Sequence, residues 1–318
     1  MSSASMRAWR VHEFGSPDVM TLDSVPQPDP GSGEVLVKVA AAGVGPWDAW
    51  IRAGKSALDQ PLPLTLGSDL AGRIVAVGPD VSDLRSGDEV YGVTNPRFVG
   101  AYAGYALARA TMISKKPSSL TSVEAASVPV VAVTAWQALF DQAKLEAGQT
   151  VLVHGAAGNV GAYAVQLAHR AGLRIIATAG AEDASFVRQL GADSVIDFKS
   201  QRFEEQVHDA DAVLDLVGGD AQVRSFQVLR RGGRLVSAVS APDQQLAQRH
   251  GVTAGFFLVD VSTRLLSQLG ELFDKGELRA RVGAVIPFAE ARKAHLMLEG
   301  QLPRPKGKIV IAVGSGDA

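Results

Sequence analysis

The 318-residue sequence contains no cysteine. That excludes disulfides, a thiolate nucleophile and every zinc site that needs a Cys ligand. An excess of either charge is missing too: 31 Lys and Arg face 33 Asp and Glu, a formal net charge of −2. Such a balance offers no basic footprint for nucleic acid and no charged tail for a membrane surface. Histidine is sparse, and His12, His154, His169, His208, His250 and His295 nowhere fall at the i, i+3 or i+4 spacing of a helical metal pair. They are expected as surface or packing residues. Met1–Met6 lacks the charged and apolar regions of a signal peptide. The longest uncharged stretch, Ala147 to His169, is broken in the middle by Gly155-Ala-Ala-Gly158-Asn159. A strand, a tight turn and a helix explain it better than a membrane span of about 20 apolar residues. The expectation is a soluble, cytoplasmic protein of two domains, with no nucleic-acid or membrane partner.

What is present divides in two. The first third carries β-branched runs, Glu34–Val39 and Gly72–Val77, between Pro- and Gly-bearing turns such as Gln27-Pro-Asp-Pro-Gly31, Gly78-Pro-Asp80 and Ser86-Gly-Asp88. Short strands at that spacing predict a distorted antiparallel barrel. Ser122 to Phe140 is Ala-rich and helical, with Pro129 placed to bend or restart the helix. From Thr150 short apolar strands alternate with amphipathic helices: strands at Val151–Val153, Arg174–Thr178, Ser194–Ile196, Ala212–Leu216 and Arg234–Val239, helices at Val160–His169 and Glu182–Leu190. This is the pattern of a parallel sheet covered by helices. A helix at Val261–Lys275, a strand at Ala284–Pro287, a helix at Phe288–Glu299 and a strand at Lys308–Val313 are expected to close the chain. No internal repeat or low-complexity segment is present.

One motif carries chemistry. Strand Val151–Val153 runs through His154-Gly-Ala-Ala-Gly158-Asn159-Val160-Gly161 into a helix, the A-x-G-x-x-G form of the dinucleotide fingerprint. Gly158 lets backbone approach a pyrophosphate, Gly161 lets helix and strand pack closely, and the helix N-terminus attracts phosphate. An NAD-selective site places Asp or Glu at the end of the next strand, about 20 residues on. Here that position reads Thr178-Ala179-Gly180, all uncharged, which favours NADPH over NADH. Glu182 and Asp183 follow at once, and Lys199 is placed to reach the adenosine side.

A fingerprint about 150 residues into the chain, behind a β-rich domain, resembles the medium-chain dehydrogenase/reductase superfamily. Gly67-Ser-Asp-Leu-Ala-Gly72 with Val75–Gly78, Gly87-Asp-Glu-Val-Tyr-Gly92 and the closing Gly307-Lys308-Ile-Val310 resemble its signatures. Gly155–Gly161 followed by Gln166-Leu-Ala168, Gly191-Ala-Asp193 with Val195-Ile-Asp197, and Asp215-Leu-Val-Gly-Gly219 are similar to its zinc-free quinone oxidoreductase branch. The resemblance implies an α/β chain: a doubly wound Rossmann nucleotide-binding domain at 126–265 plus a β-rich GroES-like barrel domain at 1–125 and 266–318. The acceptor is expected between them, and a homodimer through the nucleotide domain. Resemblance nominates Thr134, Phe198, Val217, Gly218, Ala238, Val239, Phe256, Phe257 and Lys308 around the cofactor. Where zinc alcohol dehydrogenases carry "GVC" and "GHE", this chain reads Gly43-Val-Gly45 and Gly67-Ser68-Asp69, so no zinc is expected. The Tyr-x-x-x-Lys pair of short-chain dehydrogenases is absent too: Tyr163 is followed by Leu167 and Tyr105 by Arg109.

Without a metal or a Tyr/Lys pair, positioning and charge stabilisation suffice only for an electrophilic acceptor, a quinone or an enone. The branch pattern N-P-V-D-x-Y-x-R-x-G becomes Gly45-Pro-Trp47-Asp48-Ala-Trp50-Ile-Arg52-Ala-Gly54. Two polar groups are lost and apolar bulk is gained, predicting a bulky hydrophobic acceptor and a cleft at Gly45, Trp47 and Trp50. Asp48, Tyr91, Tyr102 and Tyr105 are the candidate proton donors, with Asp48 alternatively bracing the loop through Arg52. The leading reading is an NADPH-dependent quinone reductase. An enone or enoyl-thioester reductase and a non-catalytic NADPH sensor are the alternatives.

Overall fold

The computed structural model describes residues 4–314, so the first three residues of the Met1–Met6 segment lie outside it. Alternation opens the first strand, β1 (Ser5–Val11): Met6 and Ala8 are buried while Ser5 and Arg7 face outward, and toward its end Trp9 and Val11 are buried as well. The chain continues through β2 (Met20–Pro26), β3 (Glu34–Val44), α1 (Pro46–Arg52), β4 (Leu64–Thr65), β5 (Asp69–Val77), β6 (Glu89–Val93), β7 (Tyr105–Arg109), β8 (Ile113–Lys115) and α2 (Ser122–Ala126). A capping box between Thr121 and Glu124 starts α2. Pro129 opens the next helix, α3 (Pro129–Trp136), restarting rather than bending the chain, and a π-helical turn, Gln137–Gln142, follows.

Then come β9 (Thr150–Val153), α4 (Asn159–Arg170), β10 (Arg174–Ala179), α5 (Ala184–Gln189), β11 (Ser194–Asp197), β12 (Ala210–Asp215), α6 (Gly219–Ser225), β13 (Leu229–Ser237), α7 (Gln244–His250) and β14 (Thr253–Phe256). The chain closes with α8 (Thr263–Asp274), β15 (Val282–Pro287), α9 (Arg292–Leu298) and β16 (Lys308–Ala312). It divides into two units, residues 131–260 and the remainder on either side.

The unit formed by 131–260 is a six-stranded sheet in the order β11-β10-β9-β12-β13-β14, with every pairing parallel. Leu152, Val213, Phe226 and Leu235 are buried together in its core. α7 and β14 were not anticipated. Thr253–Phe256 lies at the sheet edge with three of its four residues exposed, so no apolar alternation marks it.

In the other unit, β2-β1-β4 form one antiparallel sheet. A larger one runs β15-β16-β3-β5-β6-β8, with β7 also on β3. The first third pairs antiparallel throughout, as expected, and the C-terminal β15 adds to β16 in parallel. Trp9, Val37, Leu70, Ile74, Tyr102 and Ile311 lie in this unit's core. No helix among the described residues is long and apolar enough to cross a membrane. Ala147 to His169 forms the end of a loop, β9, a turn and α4.

Candidate active site

All six parallel strands of the 131–260 unit end on one edge, and the order reverses between β9 and β12. The crevice beyond the C-terminal ends at such a switch point is where open α/β sheets bind ligands. The sequence-nominated residues gather there: Gly158, Asn159, Val160 and Gly161 after β9; Thr178, Ala179 and Gly180 closing β10; Phe198 after β11; Val217 and Gly218 after β12; Ala238 and Val239 after β13; Phe256 and Phe257 at the end of β14. Phe198, Val217, Val239 and Phe256 remain exposed, an apolar rim beside the turn. Thr134 is buried in α3.

The turn is built as its glycines require. Gly155 has φ +67°, in the left-handed region, and Gly158 is the extended N-cap of α4. A Cβ on Gly161 would collide with the Gly155 carbonyl and lie 2.7 Å from Ala156 Cα. Asp215 holds the neighbouring loops. It accepts from the Val217 and Gly218 N–H groups at 3.1 and 2.7 Å, from Gln222 at 2.8 Å and from Ser237 Oγ at 2.8 Å.

His154, read from sequence as a packing residue, is a buried strut beneath this turn. Ser225 Oγ donates to the Ala221 carbonyl at 2.6 Å, so it accepts from His154 Nε2–H at 2.9 Å. His154 Nδ1 then accepts from Thr178 Oγ1 at 3.0 Å, and Thr178 Oγ1 receives the Gly155 N–H at 3.4 Å. Burial holds the imidazole neutral, lowering its pKa from 6.5 to about 4. Lys199, expected near the adenosine side, ion-pairs with Glu182 at 2.8 Å. The Glu182 carboxylate folds back over Gly180, 2.5 Å from where a Cβ would stand.

The other unit contains a second constellation. Asp69, at the start of β5, and Lys308, at the start of β16, form a fully buried ion pair at 2.9 Å. Asp69 Oδ1 also accepts the Val130 N–H at 3.2 Å. The Lys308 ammonium lies 4.3 Å from the centre of the Trp47 ring, and Trp47 Nε1 donates to Ser68 Oγ at 3.0 Å. Lys308 is therefore no solvated strand residue; its Nζ is held by Asp69.

Gly45 and Trp47 are complementary. A Cβ at Gly45 would run into the Trp47 indole, so the ring occupies the space a larger residue would fill. Asp48 braces the loop through Gly45 rather than through Arg52: its Oδ2 accepts the Gly45 N–H at 2.8 Å and Tyr102 Oη at 3.1 Å. Its Oδ1 is buried without a partner. Burial raises the Asp48 pKa to about 7, opposed by the Gly45 N–H and Lys308 and assisted by Asp69. Burial and the adjacent Asp48 raise Tyr102 well above its usual value.

Two candidates fall outside this cluster. Tyr91 donates to the Leu266 carbonyl at 2.6 Å and seats α8 rather than standing ready as a proton donor. Trp50 is 53% exposed on α1, outside the buried cluster around Asp48 and Lys308. Arg52 instead bonds the Gly15 carbonyl and His295 Nδ1, each at 3.0 Å, and pairs with Glu299. His295 stacks edge-on against Tyr102 at 6.0 Å. No sequence signal marked this link, since Arg52 and His295 lie 243 residues apart. Among the described residues no group of three or more His, Cys, Asp or Glu side chains is placed to hold a metal ion.

Known proteins resemble this chain in sequence and in fold. The alcohol dehydrogenase GroES-like domain matches residues 31–118, and the zinc-binding dehydrogenase family matches residues 190–311. The chain is 33% identical to a quinone oxidoreductase of Homo sapiens across 91% of its length and 93% of that protein's. It is 32% identical to an NADPH-dependent alkenal/one oxidoreductase of Arabidopsis thaliana, over 96% of this chain and 79% of that one. The fold superposes on a quinone oxidoreductase from Coxiella burnetii with a TM-score of 0.89 at 33% identity, covering 97% and 99% of the two chains. A Rossmann unit joined to a GroES-like unit defines the medium-chain dehydrogenases and reductases. The chain belongs to the quinone oxidoreductase branch of that superfamily and is an oxidoreductase.

The His154 strut makes a pH prediction. A histidine whose folded pKa is depressed contributes stability that is present above its unfolded value, near 6.5, and lost as pH falls through about 4. The full effect is about 3 kcal/mol. The melting temperature is expected to fall between pH 7 and pH 4.5, and to fall less in His154→Gln. An identical acid profile in both proteins contradicts the assignment.

Proposed function

We propose that this oxidoreductase uses NADPH to reduce quinones or other activated carbonyl acceptors without a metal ion. The observation that carries the reading is the strand–turn–helix at Gly155–Gly161, whose backbone is shaped for a diphosphate at the switch point of a parallel sheet. The similarity to a quinone oxidoreductase and to an NADPH-dependent alkenal/one oxidoreductase supports the acceptor class and the cofactor. The residues fit a dinucleotide: the α4 N-terminus and the Gly158 backbone hold the phosphates, and the Val217, Val239 and Phe256 side chains offer an apolar wall. Bound there, the cofactor supplies a hydride equivalent. Zinc does not fit the Gly45, Ser68 and Asp69 positions. The Asp69 carboxylate is already neutralised by an ammonium, and Gly45 has no donor side chain. No step passes through a metal.

The chain's own contribution is proton management. With Oδ2 already accepting two hydrogen bonds, a proton on Asp48 resides on Oδ1, and a pKa of about 7 leaves it both present and transferable at neutral pH. Asp48 is the proposed proton source for the reduced acceptor, a role that requires its buried Oδ1 to be uncovered when the acceptor binds. Tyr102 orients the carboxyl, and Lys308 and Trp47 fix the electrostatic and apolar surroundings. Homodimerisation accompanies this reading.

NADPH oxidation followed at 340 nm against 1,4-benzoquinone, 9,10-phenanthrenequinone, a 2-alkenal and crotonyl-CoA tests the function. Turnover with quinones that is lost in Gly158→Val supports it; a Cβ there meets only the Gly155 carbonyl, at 3.1 Å, so the variant is expected to fold. Turnover confined to the alkenal or the thioester moves the acceptor to carbon–carbon double bonds. Tight NADPH binding with no reduction leaves a sensor.

Two finer outcomes are expected. Activity should fall above about pH 7, lose that limb with at least about a hundredfold drop in kcat in Asp48→Asn, and shift the limb to higher pH in Tyr102→Phe, which removes a bond favouring the carboxylate. Lys199→Ala should raise KM for NADPH more than for NADH, since only the former brings a 2′-phosphate to compete with Glu182. Equal changes contradict that role.

A further inference from the structure

A second layer of buried polar groups lies behind Asp48. Asp48 and Arg52 stand four residues apart on one face of α1, and both are buried. The Arg52 guanidinium is divided among three acceptors. Its Nε donates to the Gly15 carbonyl and its Nη1 to His295 Nδ1, each at 3.0 Å, and its Nη2 to the partly exposed Glu299 carboxylate. The Gly15 N–H returns a bond to the Arg52 carbonyl at 3.1 Å. Arginine only donates, so His295 Nδ1 accepts and the ring proton sits on Nε2. That N–H is buried without a hydrogen-bond partner, so the single polar tie of the ring is the one to Arg52. Burial and the Arg52 cation keep the imidazole neutral, lowering its pKa from 6.5 to about 3.

Tyr102 connects this layer to the carboxyl, and two neighbours fix its ring. Gly67, with φ +86°, lies so close that a Cβ there would overlap the ring carbons. His295 meets the ring edge-on, with centres 6.0 Å apart and planes at 84°. Tyr102 Oη then reaches Asp48 Oδ2 at 3.1 Å, a long contact for an O–H···O bond and one that a small ring movement would break. The segment that carries His295 is held independently of this chain of contacts. Trp9 Nε1 donates to the Phe288 carbonyl at 2.7 Å, and Arg292 donates to the Met20 carbonyl at 2.6 Å.

We propose that His295, seated by Arg52, is a positioning residue that holds the Tyr102 ring so that its hydroxyl meets Asp48 Oδ2. Its effect on turnover rests on Asp48 being the proton source. The Tyr102 bond favours the carboxylate, so loosening the ring makes Asp48 the weaker acid. The other groups that bear on Asp48 are the Gly45 N–H, Lys308 on β16 and Asp69 on β5, and none is altered by a substitution at His295.

Two variants of the full chain divide what His295 does. His295→Asn keeps an acceptor for Arg52 but loses the ring, and His295→Phe keeps a ring but loses the acceptor. His295→Asn should move the alkaline limb of activity up by about 0.5–1 pH unit, a roughly three- to tenfold weaker acid. His295→Phe should melt lower than the parent yet leave the limb in place, a separation that a merely structural role does not give. Added to Tyr102→Phe, His295→Asn should move the limb no further. Infrared difference spectroscopy follows the protonated Asp48 carboxyl without turnover, as the band that is lost in Asp48→Asn, and its midpoint should shift with the limb. A midpoint unmoved in His295→Asn, equal movement in both His295 variants, or a shift that adds to that of Tyr102→Phe would overturn the positioning role. A midpoint that moves as expected while the activity limb stays still upholds His295 and overturns Asp48 as the proton source.

Discussion

The ion pair between Asp69 and Lys308 is the constraint around which the GroES-like unit is organised. It joins the first residue of β5 to the first residue of β16, 239 positions apart, with neither partner in contact with solvent to any useful extent. Removing one partner of such a pair costs about 3–5 kcal/mol, because the other is left charged and buried. The approach is close enough that Gly43 must be glycine: a Cβ there would strike the Ala126 carbonyl and sit 2.9 Å from Asp69 Cβ. Trp47 covers the ammonium, Gly45 makes room for Trp47, and Asp48 holds the Gly45 N–H. That burial raises the Asp48 pKa to about 7, moderated by the Gly45 N–H and the Lys308 cation.

The two units contribute in different physical terms. In the nucleotide-binding unit the important groups are backbone N–H groups at a helix terminus and a glycine-shaped surface, with His154 and Asp215 holding the loops from below. These features bind and orient by fixed dipoles and need no titration. The GroES-like unit contributes side chains with displaced proton affinities, raised at Asp48, Asp69 and Tyr102 by burial. On the proposed reading these groups supply charge and a proton, and an acceptor that is electrophilic in its own right is the chemistry that suits them.

Much of this was legible in the sequence, and the rest was hidden for identifiable reasons. Strand and helix periodicity around Val151–Val153 and Val160–His169 is local, and the glycine pattern between them has one economical structural meaning. The Gly45 departure is visible in the sequence, but its complement, the Trp47 ring that fills the space a Cβ would take, is a packing relation that only three dimensions reveal. Lys308 is nominated by resemblance alone, since the burial of a lysine depends on a carboxylate 239 residues away. Lys199 looked available for a phosphate, but its ion pair with Glu182 depends on how the loops after β10 and β11 fold together. His295 carried no signal at all. Its neighbours come from distant segments.

On the proposed reading the centre works without a metal, an ammonium standing against Asp69. The direct test is quinone-dependent NADPH oxidation by protein exhaustively dialysed against chelator, with bound metal determined by elemental analysis on the same sample. Full turnover with far less than one equivalent of zinc per chain is the predicted result. Activity that disappears on chelation and returns in proportion to added zinc would contradict it.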